Sequence, residues 1–150
     1  MSMKKYLCLI AVCLLPAVSL FAQTADEIEA LLNSGAVTYA QAARFALDAA
    51  NVRVTADTSW FEYAAAQNWL PKNAAANDTA RLDGIALLVM RSFGMKGGMM
   101  YSLIKSPHFA YRELVHQQII QGWIDPAMAV SGDTLLYIIN KAIEQRDGEQ

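Results

Sequence analysis

Glu113 and His116 stand three residues apart, a spacing that puts a carboxylate and an imidazole on one helix face, as carboxylate-bridged metal sites in helical bundles require. Such a site needs the pair twice, with further glutamates, and the chain holds no second Glu-x-x-His. The pair therefore reads as a solvated face or a helix-surface contact. His108 falls in the first turn of its expected helix, where the dipole disfavours a cation, and reads as surface or turn packing. Nucleophilic catalysis finds no constellation: there is no Gly-x-Ser-x-Gly, only two histidines can serve as a base, and Cys8 and Cys13 both sit near the N-terminus. Asp78 and Asp83 would have to pair across a glycosidic bond to do hydrolytic work, but their positions suit the negative charge that helix starts favour. Gly94 to Gly98 lacks the Gly-Lys-Ser/Thr ending and the preceding strand of a phosphate loop. These residues point to a protein that is not an enzyme and carries neither cofactor nor metal.

Binding is the better reading of the remaining side chains. Trp60, Tyr63, Trp69, Tyr111 and Trp123 would serve a sugar-stacking or peptide-binding groove, or else pack a core. Trp123 follows the helix-ending Gly122 and precedes Asp125-Pro126, a loop setting. Arg81 beside such an aromatic would meet an anionic group, its alternative being an ion pair on the helix surface. The candidate ligand contacts are Arg81, Trp69, Tyr111 and Trp123. Met95, Met99 and Met100, set among Gly94, Gly97 and Gly98, form a second candidate surface, because flexible thioethers repack around different partners.

The elements that must position these residues begin after a leader. Lys4 and Lys5 precede an apolar run from Leu7 to Leu15, Pro16 interrupts it, and Leu20-Phe21-Ala22 ends in a small residue suited to cleavage. Residues 1–22 are expected to be a signal peptide cleaved near Ala22, with retention as an anchor or lipidation as the alternatives. The expected location is the periplasm or the cell surface, with no integral membrane segment once the signal is gone, since the run falls short of the ~20 residues of a stable span. Both cysteines leave with it, so neither disulfides nor thiolate metal sites are expected in the remainder. The formal net charge of −2 becomes more negative on loss of Lys4 and Lys5. That excludes a basic footprint for nucleic acid and a polybasic run for anionic lipid.

Residues 23–150 fit one all-α domain of six helices. Thr24 with Glu27, Thr38 with Gln41 and Ser59 with Glu62 are capping boxes that open the first three. Ile28, Leu31 and Leu32 share a face of the first. The aromatic third helix is expected to run to Pro71, which excludes the helical region for its neighbour. Asn77 or Thr79 caps a fourth that is apolar nearly all round from Ile85 to Met90, and Gly94 closes it. Gly94–Met100 reads as an irregular, mobile connection. Ser106 with Pro107 opens the fifth helix, ended by Gly122. Ser131 opens the sixth, stapled by Val130 and Leu135 and fraying after Gln145.

Helices three and four share a grammar with five and six: Phe61-Glu62-Tyr63 opens one pair and Phe109-Ala110-Tyr111 the other. The residues before Gly35 and the helix after Thr38 look like a shortened third copy. Helix pairs of this kind bury their faces only by stacking. Phe109-Ala110-Tyr111 followed by Ile119-Ile120-Gln121-Gly122, with Thr38-Tyr39-Ala40-Gln41 and Ala80-Arg81-Leu82-Asp83 as second-helix starts, resembles the S-layer homology repeat. The resemblance covers roughly residues 26–145. It implies stacked helix–loop–helix units that bind cell-wall polysaccharide without covalent bonds, with the cap arginine, here Arg81, near the anionic ligand. The expected role is non-catalytic binding or scaffolding in the cell envelope, its partner a wall polymer or another envelope protein. The alternatives are an adaptor that captures proteins through the Met/Gly-rich segment and, more distantly, a wall-directed hydrolase.

Overall fold

The structure, a computed structural model, describes residues 24–122 and 124–149. The expected leader with its cleavage point near Ala22, and Trp123, lie outside the described residues. The chain divides into two units, residues 1–33 and 34–150. In the first, residues 24–32 form helix α1, ended by a bond from the Asn33 N–H to the Glu29 carbonyl at 3.1 Å. Of its expected apolar face Leu31 is buried, while Ile28 and Leu32 are exposed.

The second unit holds α2 (Tyr39–Ala49), α3 (Trp60–Ala66), α4 (Leu82–Ser92), α5 (Met99–Leu103), α6 (Pro107–His116) and α7 (Gly132–Gly148). The described residues form helices and no strands, and none of these helices is long and apolar enough to cross a membrane. Three starts follow from their cap residues. Thr38 accepts from the Gln41 N–H while the Gln41 side chain accepts from the Thr38 N–H, and Ser59 with Glu62 repeats the arrangement. Ser106 accepts from the Phe109 N–H, with Pro107 in the first turn.

Several boundaries differ from expectation, and one device explains most of them. After α2, α3, α4 and α6, a residue turns left-handed: Asn51 (φ 59), Asn68 (φ 58), Gly94 (φ 62) and Gln118 (φ 62). The next N–H then reaches back five residues, from Val52 to Leu47, Trp69 to Ala64, Met95 to Met90 and Ile119 to Leu114, each at 2.9 Å. This closure satisfies carbonyls the helix would leave open. Asn68 thus stops α3 at Ala66, ahead of Pro71, and Gln118 stops α6 at His116, ahead of Gly122. The last two residues of the stretch expected to be irregular, Met99 and Met100, begin α5, a seventh helix of five residues, too short to register as periodicity. α7 continues past Gln145 to Gly148.

α4 starts at neither Asn77 nor Thr79. Its N-cap is Arg81, whose side chain makes no capping bond, and Ser131 at the start of α7 makes none either. Their orphan N–H groups are satisfied elsewhere. Val37, Ala80 and Val130 immediately precede the caps of α2, α4 and α7, and they exchange backbone bonds in a closed ring. Val37 donates to Val130 at 2.8 Å, Val130 to Ala80 at 3.1 Å, and Ala80 to Val37 at 2.8 Å. All three are fully buried. One step outward the first helical residues donate in the opposite sense: Tyr39 to Asp78, Leu82 to Met128 and Gly132 to Ser34. Ala40 to Ala76 and Asp83 to Pro126 extend it. Each helix start is thus capped by the loop that leads into another, and a side-chain cap becomes dispensable.

From this ring the helices diverge around α4, whose Leu82 and Gly84–Met90 are buried and which packs against α6, α2 and α7. Leu47, Leu114, Leu135 and Ile138 complete the core. Breaking the ring should be felt throughout. Ala80→Pro removes one donor and leaves the Val37 carbonyl unpaired in the interior, so the free energy of unfolding should fall by about 1–3 kcal/mol, read from the urea midpoint by far-UV circular dichroism.

Candidate functional site

The start of α4 lies beside a hollow of about 500 Å³ whose walls include Tyr39, Lys72, Asn73, Asp78, Thr79 and Arg81. Arg81 reaches it because it is a cap residue: its extended backbone (φ −90, ψ 152) carries the side chain off the helix surface. Its Nη2 meets Asp83 Oδ2 at 2.8 Å, with the arginine side chain 54% exposed and the aspartate 15%. Asp83 Oδ1 accepts from the Gly84 N–H at 2.8 Å, which fixes the carboxylate and through it the guanidinium. The Arg81 N–H donates to Tyr39 Oη at 3.3 Å, and Asp78 accepts from the Ala75 N–H at 2.9 Å. Tyr39 crosses from α2 to α4 only because position 84 is glycine, since a Cβ there would overlap the phenol ring.

Burial raises the Tyr39 phenol above its ordinary range; the Arg81 N–H opposes the shift, and the Asp83 and Asp78 charges add to it. The carboxylates at the hollow are already engaged: Asp78, in its wall, by backbone, and Asp83, next to Arg81, by that guanidinium. Lys72, Asn73 and the outer edge of Arg81 are left to face a ligand. The arrangement offers hydrogen-bond donors and positive charge to a hydroxyl-rich or anionic ligand. Among the described residues, no group of three or more His, Cys, Asp or Glu side chains converges as metal ligands would.

The other expected contact residues go elsewhere. Trp69 stands edge-on to Tyr63, centroids 5.8 Å apart at 75°, an intramolecular pair. Trp60 lies under the Arg44 guanidinium at 5.3 Å. Tyr111 donates its hydroxyl to the Ile124 carbonyl. Neither Trp69 nor Tyr111 lines the hollow at Arg81, so the structure does not gather the candidate ligand contacts into one groove. Of the second candidate surface, Met95 is half-buried, while Met99 and Met100 are 77% and 49% exposed.

Glu113 and His116 line a hollow of about 340 Å³ under α5, but the Glu113 carboxylate is occupied. Its Oε2 accepts from the Gly98 N–H and its Oε1 from Gln117 Nε2, both at 2.9 Å. Gln117 Nε2 also reaches the Lys96 carbonyl at 2.9 Å, and Gln117 Oε1 accepts from Gln145 Nε2 at 2.8 Å. Glu113, together with Gln117, holds down the glycine-rich segment. Tyr39, Lys72 and Asn73 escape a sequence reading because their only signal is position: Tyr39 opens α2, and the other two follow Pro71 in the loop before α4.

Comparison with protein-family models, with curated proteins and with solved structures gives no match.

Two outcomes follow for the hollow. Gly84→Ala forces a methyl against a buried ring and should destabilise by about 1–3 kcal/mol. Arg81→Ala removes only a half-exposed ion pair and should change stability by about 1 kcal/mol or less; chemical denaturation of both variants measures the contrast. Because the phenol's folded value lies above its unfolded value of about 10, its contribution is complete below that pH and is lost as pH rises through the raised value. Burial raises Tyr101 likewise, the Arg91 charge opposing and Glu113 adding to it. Melting temperature should therefore fall as pH rises past about 10, with a smaller fall in a variant carrying both Tyr39→Phe and Tyr101→Phe.

Proposed function

We propose that this chain is a non-catalytic binding module of the cell envelope, exported behind its N-terminal leader and built from three degenerate helix–loop–helix units similar to S-layer homology repeats. The observation that carries the reading is the closed ring through Val37, Ala80 and Val130. Three positions that precede three helix caps exchange bonds in one rotational sense, as stacked copies of a single unit would. The Phe109-Ala110-Tyr111 and Ile119-Ile120-Gln121-Gly122 segments around α6 support the same reading.

The ligand proposed is an anionic cell-wall polysaccharide held at the hollow between the starts of α2 and α4. Arg81 and Lys72 supply its charge partners, and Asn73 bonds its hydroxyls. Each contact is exposed and modest, so this single site binds weakly.

Co-sedimentation with purified wall polysaccharide is the test. The protein should pellet with the polymer, and Arg81→Glu with Lys72→Glu should weaken capture at least tenfold while leaving the melting curve within a few degrees of the parent. Retention of all protein in the supernatant, with the parent correctly folded, would remove this reading.

A further inference from the structure

α5 turns its apolar side outward. Met99 and Leu103, one helical turn apart on the same face, are 77% and 74% exposed, and Met100 and Ile104 beside them are 49% and 51% exposed. Only Tyr101 of this helix is buried. Met99, Met100, Leu103 and Ile104 make an exposed apolar ridge, with Met99 and Met100 also at the wall of the hollow beneath α5.

The charge around it is of one sign. From Gly84 to Arg112 the sequence holds no Asp or Glu but has Arg91, Lys96, Lys105 and Arg112, in a chain whose net charge is negative. The fold sets Lys96, Lys105 and Arg112 on the flanks of the ridge. Lys96 and Lys105 line a hollow with Tyr101 and Ser102 on one side of α5, and Arg112 lines the hollow with Met99, Met100 and His116 on the other. The one carboxylate lining either hollow is Glu113, which accepts from Gly98 and Gln117. Among the described residues, no ion pair engages Lys96, Lys105 or Arg112. The polybasic run missing from the sequence is assembled here across a turn of helix.

We propose that the Met99–Ile104 ridge, flanked by Lys96, Lys105 and Arg112, docks this protein on an anionic lipid surface. The side chains of the ridge enter the interfacial layer and the cations meet lipid phosphates. Two physical points favour lipid over a folded partner. Four side chains, three on a five-residue helix and one at its C-cap, offer roughly a few hundred Å², short of the ~800 Å² each partner gives a stable protein interface. A bilayer also needs no complementary shape, and apolar insertion flanked by cations is what its interface rewards. The proposal stands apart from polysaccharide binding at Arg81, since it uses none of the same residues.

Methionine oxidation reads the contact directly. The full chain, purified as the cell processes it, is exposed to dilute peroxide with vesicles of phosphatidylglycerol and phosphatidylethanolamine, with phosphatidylcholine vesicles, or with none. Sulfoxide at Met99 and at Met128 is followed by peptide mass spectrometry. Met128 is 41% exposed and lies outside the ridge, so it is the internal standard. Anionic vesicles should slow Met99 oxidation at least fivefold relative to Met128, and phosphatidylcholine should not. Lys96→Glu with Lys105→Glu should reduce the vesicle concentration dependence by about fivefold for each cation removed, and Leu103→Asp should abolish the protection. Unchanged Met99 oxidation in anionic vesicles would overturn the proposal. So would protection that grows with protein concentration without lipid, since that would assign the ridge to a second copy of the chain.

Discussion

The closed exchange of three backbone bonds among Val37, Ala80 and Val130 is the constraint around which residues 34–150 are arranged. A buried amide without a partner costs more than a satisfied one contributes, so three chain segments that enter the interior together pair with one another. Having paired, they fix the origins of α2, α4 and α7. The remaining orphan donors of those helices then fall on loop carbonyls at Asp78, Met128 and Ser34. The helices are capped by tertiary structure, which is why Arg81 can stand at a position usually given to serine, threonine or aspartate. A residue released from capping is available for a ligand. The cationic edge of the hollow at Tyr39 is thus a by-product of how the interior is closed.

How far the molecule could be read from its residues depends on the range of the interactions involved. Thr38 with Gln41, Ser59 with Glu62, and Ser106 before Pro107 act within one turn, and each opens the helix its sequence announces. The all-helical class follows from the same local patterns. Helix ends were less legible: Asn51, Asn68 and Gln118 take the left-handed conformation usually sought at glycine, and asparagine tolerates it nearly as well. α5 spans too few residues for periodicity to be visible. The start of α4 was out of reach in principle, since what caps it lies more than forty positions away in the loop before α7.

The candidate site divides the same way. Arg81 was legible because a charged residue at a helix start is visible in one dimension. Its neighbours Lys72 and Asn73 come from a loop, and Tyr39 from another helix, brought close by the glycine at 84. Conversely, Trp69 and Tyr111 were singled out by residue type, and type alone does not tell a ring that packs on Tyr63 from one that waits for a ligand. The pairing of Glu113 with His116 was a matter of spacing, but the carboxylate turns to Gly98 instead.

The links from Gln145 through Gln117 to Glu113, Gly98 and Lys96 are mostly amide contacts, with a single formal charge among their side chains. Dissolved ions screen attraction between separated charges but hardly touch short neutral bonds. The posture of the segment carrying α5 should therefore persist from fresh water to brine, even as the pull of its lysines on any oppositely charged surface fades. A face built this way keeps its shape constant and leaves its stickiness to the ionic surroundings.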